Sequence, residues 1–211
     1  MSRGRPLEKA LARVCGEAGA RVAENVFLQD MNLQGIFSCD GQQIEVVANG
    51  LRLWGGEQLA VDTILISPVR RNGHPQPGAD VADGVQLLEA RRRKEAKYWE
   101  LLHSRRCRLV VIALEVGGRW SGEALMFVRL LARTKAWSYP RIMRRSAQLA
   151  WSSRWLGLVS VAAQRALART LLELPVDEVG ADGEDPFLED VLHEARLSEP
   201  PTLSRLLAHV G

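Results

Sequence analysis

Apolar residues recur at helical spacing near the start of the chain, alternate or run together through its middle, and return to helical spacing toward the end. Leu7, Leu11, Val14 and Cys15, with Gly19 beyond them, predict a helix from Pro6 to about Ala20. Val22 to Leu28 is β-prone, and Asp30 to Gln42 has the Asn, Gly, Ser and Asp content of a turn or hairpin connection. Ile44-Glu45-Val46-Val47 predicts a strand closed by Asn49-Gly50. Leu53-Trp54-Gly55-Gly56 then turns the chain into a further strand, Leu59 to Ile66, ended by Ser67-Pro68. These three β segments form a meander. Arg70 to Gly84 is a loop, and a helix starts near Val85 and runs to about Leu102. Cys107 to Val116 is nearly all apolar, as expected of a strand buried on both faces. Strand, helix, strand implies a right-handed crossover and parallel pairing. Ser121 is a good N-cap for a helix to about Lys135, striped by Leu125, Val128, Leu131 and Ala132. After Pro140 a long helix is expected from Ile142 to Leu174, with Trp151, Trp155, Leu158 and Ala162 on one face, read as core before base-stacking platform. The pattern gives one α/β domain over residues 1–174, followed at 175–211 by an acidic, loosely ordered tail in which 188–196 and 202–210 form short helices.

Two positions break the local rule. Asp62 interrupts an apolar, β-branched strand and shares a face with Ala60, Ile64 and Ile66. Lys94 falls in the stripe Leu87, Ala90, Lys94, Tyr98, Leu101, while most of the neighbouring Arg91-Arg92-Arg93 run points elsewhere. Glu45 is a third polar residue among apolar neighbours. Each alone has an ordinary explanation: a strand-edge Asp bonded to a loop, a Lys that snorkels to water, a solvent-facing Glu. Together, in adjoining strands and the next helix, they suit another purpose. Carboxylate oxygens on rigid strands suit Mg²⁺, and a nearby Lys can orient a water or stabilise charge developing on phosphate.

Charge sharpens this. The chain has 211 residues and a net charge of +3, but residues 175–211 carry nine acids and two bases, leaving +10 on the rest. A basic body suits a polyanionic partner. Cys15, Cys39 and Cys107 are far apart, with no CxxC and no Cys/His cluster, which argues against structural zinc and fits a reducing compartment. Met1 to Val14 lacks a signal peptide's apolar core, and the longest uncharged apolar run, Trp155 to Gln164, is shorter than the roughly 20 residues a bilayer requires. The expectation is a soluble intracellular protein with no membrane partner.

The pattern Ile44-Glu45-Val46-Val47, Leu59-Ala60-Val61-Asp62-Thr63, Lys94-x-x-Lys97-Tyr98 and Leu114 to Trp120 resembles the restriction-like endonuclease domain of non-LTR retrotransposon proteins, within the PD-(D/E)XK nuclease superfamily. The resemblance covers roughly Leu7 to Leu172. It implies a mixed central sheet in an αβββαβ core with additional C-terminal helices, Mg²⁺-dependent (or Mn²⁺-dependent) DNA cleavage, and a nuclear location if the chain is retroelement-derived. Glu45 and Asp62 fall at the acidic, metal-binding positions. Lys94 falls at the lysine moved from strand to helix, with Lys97 and Tyr98 beside it. Arg91, Arg92, Arg93, Arg105 and Arg106 are the expected DNA-backbone contacts. The chain departs from the pattern in having Glu45 without a Pro-Asp dipeptide, no Lys two residues after Asp62, and neither a zinc knuckle nor a reverse-transcriptase-like segment. A nuclease fold that binds DNA or a protein without cleaving, and a structural protein whose Trp-rich helices bury a partner, are the competing expectations.

Overall fold

The computed structural model describes residues 4–31, 41–70, 72–172, 188–189 and 191–192. A helix, α1 (Arg5–Glu17), is followed by three strands, β1 (Arg21–Phe27), β2 (Gln43–Asn49) and β3 (Gln58–Ile66). Two helices, α2 (Val85–Lys97) and α3 (Trp99–His103), lead to β4 (Cys107–Glu115), and α4 (Gly122–Ala136) and α5 (Arg144–Leu172) complete the described domain. The four strands form one mixed sheet in the order β1-β2-β3-β4. The first two pairings are antiparallel and the third is parallel, as the strand–helix–strand order predicts.

The sheet lies between two helical layers. Alternation along β3 sends Leu59 and Val61 to one side and Ala60 and Asp62 to the other. The first side packs on α1, α4 and α5 in the larger core, around Leu11, Val46, Ile112, Phe127, Trp151 and Trp155. The second packs on α2 and α3 in a smaller core with Ile44, Val47, Tyr98, Leu101 and Val111. The Trp residues of α5 are core, as expected. Trp151 and Trp155 are fully buried with ring centroids 5.2 Å apart, and their indole N–H groups donate to Tyr139 Oη (3.3 Å) and Glu17 Oε2 (2.7 Å). Glu17 also accepts from Arg13 (2.8 Å) and Arg154 (3.4 Å), so one buried carboxylate fastens the end of α1 to the middle of α5.

Three expectations need correction. The helix predicted from Val85 to Leu102 is broken at Tyr98, whose backbone (φ −115°, ψ 38°) leaves the helical region. Its ring is buried in the smaller core and its hydroxyl donates to Gln43 O (2.8 Å), a tether that a continuous helix would forgo. The buried stripe of α4 is Ala124, Phe127, Val128, Leu131 and Ala132; Leu125 is only half-buried, because Phe127 turns inward to stack on Trp54, 6.4 Å between centroids. The long C-terminal helix begins at Arg144 instead of Ile142, which is 90% exposed in the turn after Pro140. Ser121 caps α4 as predicted, its Oγ accepting from Ala124 N (3.2 Å). In the tail, Leu188 and Val191 are buried against the larger core. The remainder of 175–211, most of the connection predicted over Asp30 to Gln42, and Cys39 lie outside the described residues.

The seam between β2 and β3 is irregular. β3 and β4 pair along their whole length, from Gln58↔Cys107 to Ile66↔Glu115. β2 and β3 pair only at Val46↔Val61, Val47↔Ala60 and Ala48↔Leu59. Beyond Val46 and Val61 the two strands part, and the next positions along them are Glu45 and Asp62.

Candidate functional site

Continuing the β2–β3 register by one step would set Glu45 opposite Asp62 on the face covered by α2. The ladder stops there, and the Glu45 carboxylate enters the gap. Its Oε2 accepts from both the backbone N–H (2.7 Å) and the hydroxyl (2.5 Å) of Thr63. A side chain thus takes the amide that a carbonyl of β2 would otherwise bind. Asp62, only 1% exposed, lies beside it. From above, Lys94 of α2 brings its ammonium to 2.5 Å from Asp62 Oδ2, an ion pair. Asp62 Oδ1 is buried and meets no donor. Glu45, Asp62 and Lys94 therefore converge, at the middle of β3 and not at an end of the sheet.

Burial pushes the Glu45 carboxyl up to about 7, and the charge of Asp62 pushes it the same way, against the hydrogen bonds from Thr63 and the charge of Lys94. Asp62 is also raised, burial outweighing the attraction of Lys94. The two carboxyls are coupled, so their protons come off as those of a pair. Burial, followed by the two carboxylates, raises the Tyr98 hydroxyl, which stays protonated and donates to Gln43 O. Lys97 donates to the same hydroxyl (2.8 Å) and lies over the ring, 4.6 Å from its centroid. Lys97 and Tyr98 thus stand at the margin of the carboxylate pair, Tyr98 fixing the helix break and Lys97 exposed.

The arginines divide. Arg91 is engaged by Glu95 (2.7 Å) and Glu123 (3.3 Å), joining α2 to the start of α4, so its charge is already matched within the fold. Arg92 and Arg93 are exposed on α2 close to Lys94. Arg105 and Arg106 are exposed just before β4, five or more residues ahead of Val111, the partner of Asp62; that is roughly 16 Å along the strand. They lie at the end of the sheet where β4 begins and are not brought to the carboxylates at its middle. Thr63 was not singled out from the sequence, because a Thr in a β-branched strand carries no signal until the seam opens beside it. Glu8, buried on α1, adds to the negative field at Glu45 and was equally silent.

Among the described residues no group of three His, Cys, Asp or Glu side chains is placed to hold a metal ion. The chemistry of the pair still fits a magnesium-like ion, which takes one or two protein carboxylates and keeps waters or substrate phosphate for its other positions. The donorless Asp62 Oδ1 next to Glu45 is the observation that supports the fit. No helix of the described residues is long and apolar enough to cross a membrane. Comparison with protein-family models, curated proteins and solved structures gave no match.

Proposed function

We propose that the chain is a metal-dependent DNA endonuclease of the restriction-like type, hydrolysing phosphodiesters at the β2–β3 seam. The observation that carries this reading is the convergence of Glu45, Asp62 and Lys94 where the sheet ladder stops. The order helix, three antiparallel strands, helix, parallel strand supports it, since it is the αβββαβ order the sequence resemblance implies. Glu45 and Asp62 would hold Mg²⁺ or Mn²⁺ through the oxygens that Thr63 and Lys94 leave open. A divalent ion bound there supplies Lewis-acid polarisation of the phosphate and a water of lowered pKa. Thr63 fixes the Glu45 carboxylate in one orientation, and Tyr98 pins the end of α2 so that Lys94 stays over the strands. Lys94 is positioned to stabilise the charge that grows on the phosphate oxygens. Arg92, Arg93 and Lys97, exposed on the same helix, provide sequence-independent backbone contacts.

One observation favours a second reading. Lys94 already neutralises Asp62, Thr63 already occupies Glu45, and no third carboxylate joins them among the described residues. That is how a retained but inactive nuclease fold, binding DNA or a protein, would be stabilised. A supercoiled-plasmid nicking assay with Mg²⁺ or Mn²⁺ separates the two. Nicking by wild type, lost in a folded Asp62→Ala variant, supports the enzyme; a wild type that binds duplex but never nicks supports the inactive scaffold.

A further inference from the structure

On the other side of the sheet, away from Asp62, a cleft of about 750 Å³ opens between the end of α1, the β2–β3 turn and the last turns of α4. Its walls include Gly19, Gly50, Arg52, Arg133, Thr134 and Trp137. Among the described residues no acidic side chain lines it. Arg52 and Arg133 are exposed, and among the described residues neither has an ionic partner. Trp137 is 60% exposed, unlike the buried Trp151 and Trp155. The Arg144 guanidinium lies over its ring, 4.2 Å from the centroid, and covers one face. Gly19 (φ +101°) and Gly50 (φ +88°) leave the floor bare, for a Cβ at either would meet open space.

The helical wall beyond the cleft carries one sign. From Ala124 to Leu172 the chain has nine basic residues and no acidic one. Among the nine, Arg154 is used on Glu17, Lys135 over Trp151, and Arg144 over Trp137 and on the Tyr139 carbonyl. Arg129, Arg133, Arg141 and Arg145 are exposed around the α4–α5 corner. A cleft of small-ligand size, basic walls without a counter-charge among the described residues and an exposed aromatic ring together match the chemistry of an unpaired nucleotide: phosphate on the arginines, base on the indole.

We propose that this cleft binds single-stranded nucleic acid, as a site separate from the carboxylate pair. A single strand fits better than duplex because only an unstacked base can lay its face on Trp137, whereas a duplex would offer phosphates alone. The basic corner of Arg129, Arg141 and Arg145 then continues the track for the backbone.

The test is fluorescence anisotropy of a labelled oligothymidylate of about 12 nucleotides with the full chain, in EDTA so that no metal-dependent cleavage can occur. Trp137→Ala should weaken binding about 10-fold, the loss expected of one base–aromatic stack. Arg52→Ala with Arg133→Ala should also weaken it and lower the slope of log affinity against log salt by about 1–2. Both sites are exposed, so the variants should keep the wild-type circular dichroism and melting temperature. Wild-type affinity in both variants overturns the proposal. So does unlabelled duplex of equal length competing as well as single strand, or a loss confined to the arginine variant, which makes the cleft a phosphate contact without base stacking. Because the assay needs no cleavage, a chain that never nicks plasmid can still pass it, and an active nuclease can fail it.

Discussion

Lys94 and Asp62 form an ion pair between the helical layer and the sheet, with Nζ and Oδ2 2.5 Å apart and the carboxylate side chain almost wholly out of water while the lysine keeps a fifth of its surface exposed. The asymmetry decides what each mutation does. Without Asp62, Lys94 can turn toward solvent. Without Lys94, Asp62 stays buried and unbalanced, and breaking such a pair from one side costs about 3–5 kcal/mol. Lys94→Ala should therefore lower the melting temperature well below that of Asp62→Ala. The deficit should shrink on acidification, as Asp62 takes up a proton in place of its lost partner. Thermal melts of both variants at acid and neutral pH check this.

For the proposed activity, the same pair gives distinct kinetic outcomes. Asp62→Ala should reduce Mg²⁺-dependent nicking by at least roughly 100-fold and leave duplex affinity unchanged or slightly higher, since a repelling charge is gone. Lys94→Ala, assayed below its melting range, should lower kcat by about 10²–10³-fold with little change in KM, because its charge acts on the transition state. Arg92→Ala should weaken binding and reduce the salt dependence without changing kcat. Single-turnover cleavage and filter binding on the three variants distinguish these roles.

Glu45 and Glu17 should respond to pH with opposite signs. The Glu45 carboxyl rises from 4.5 in the unfolded chain to about 7 in the fold, so between those values the folded protein holds the extra proton. Its protonation favours folding below about 4.5, and that contribution is lost as pH rises through 7. Glu17 is lowered: burial opposes its charge, but Arg154, Trp155 and Arg13 overcome it. Its contribution is present above about 4.5 and lost as pH falls through the lower folded value. Glu45→Gln should therefore flatten the stability profile between about pH 4.5 and 7, the window of the Glu45 shift, and Glu17→Gln should flatten only its acid limb. If Glu45 holds a metal, added Mg²⁺ should raise the wild-type melting temperature more at pH 8 than at pH 6, since the proton must leave first.

Two buried polar tethers should matter more for the fold than their sequence context suggests. Tyr98→Phe leaves the Gln43 carbonyl without its 2.8 Å donor and releases Lys97, at a cost of about 1–3 kcal/mol. Glu17→Ala leaves the buried Trp155 N–H without an acceptor and removes the bridge from α1 to α5, for about 3 kcal/mol. Urea melts measure both, and an unchanged midpoint in either would show that water replaces the lost partner.

The parts of this protein legible in the sequence are those governed by neighbours along the chain. Periodicity locates the β2, β3 and β4 strands to within a residue or two, the Ser121 cap and the stripe that carries Lys94, because each depends on local spacing. The polar exceptions at 45, 62 and 94 were visible for the same reason. Long-range partners decide the rest. The break at Tyr98 answers to a carbonyl 55 positions away, and Glu17 answers to Trp155, 138 positions away. The inward turn of Phe127 depends on Trp54. The role of Thr63 exists only because the β2–β3 ladder ends after three rungs, an event no stretch of either strand announces.

That short ladder also makes one proton a reporter. The amide of Thr63 is held by a carboxylate, whereas that of Val61 belongs to a strand paired on both sides. In a nitrogen–proton correlation spectrum the Thr63 resonance should move as Glu45 changes charge while Val61 stays still. Its solvent exchange should quicken in Glu45→Ala without any global unfolding. A single backbone signal then reads the state of the carboxylate pair, with no substrate present and no reaction to follow.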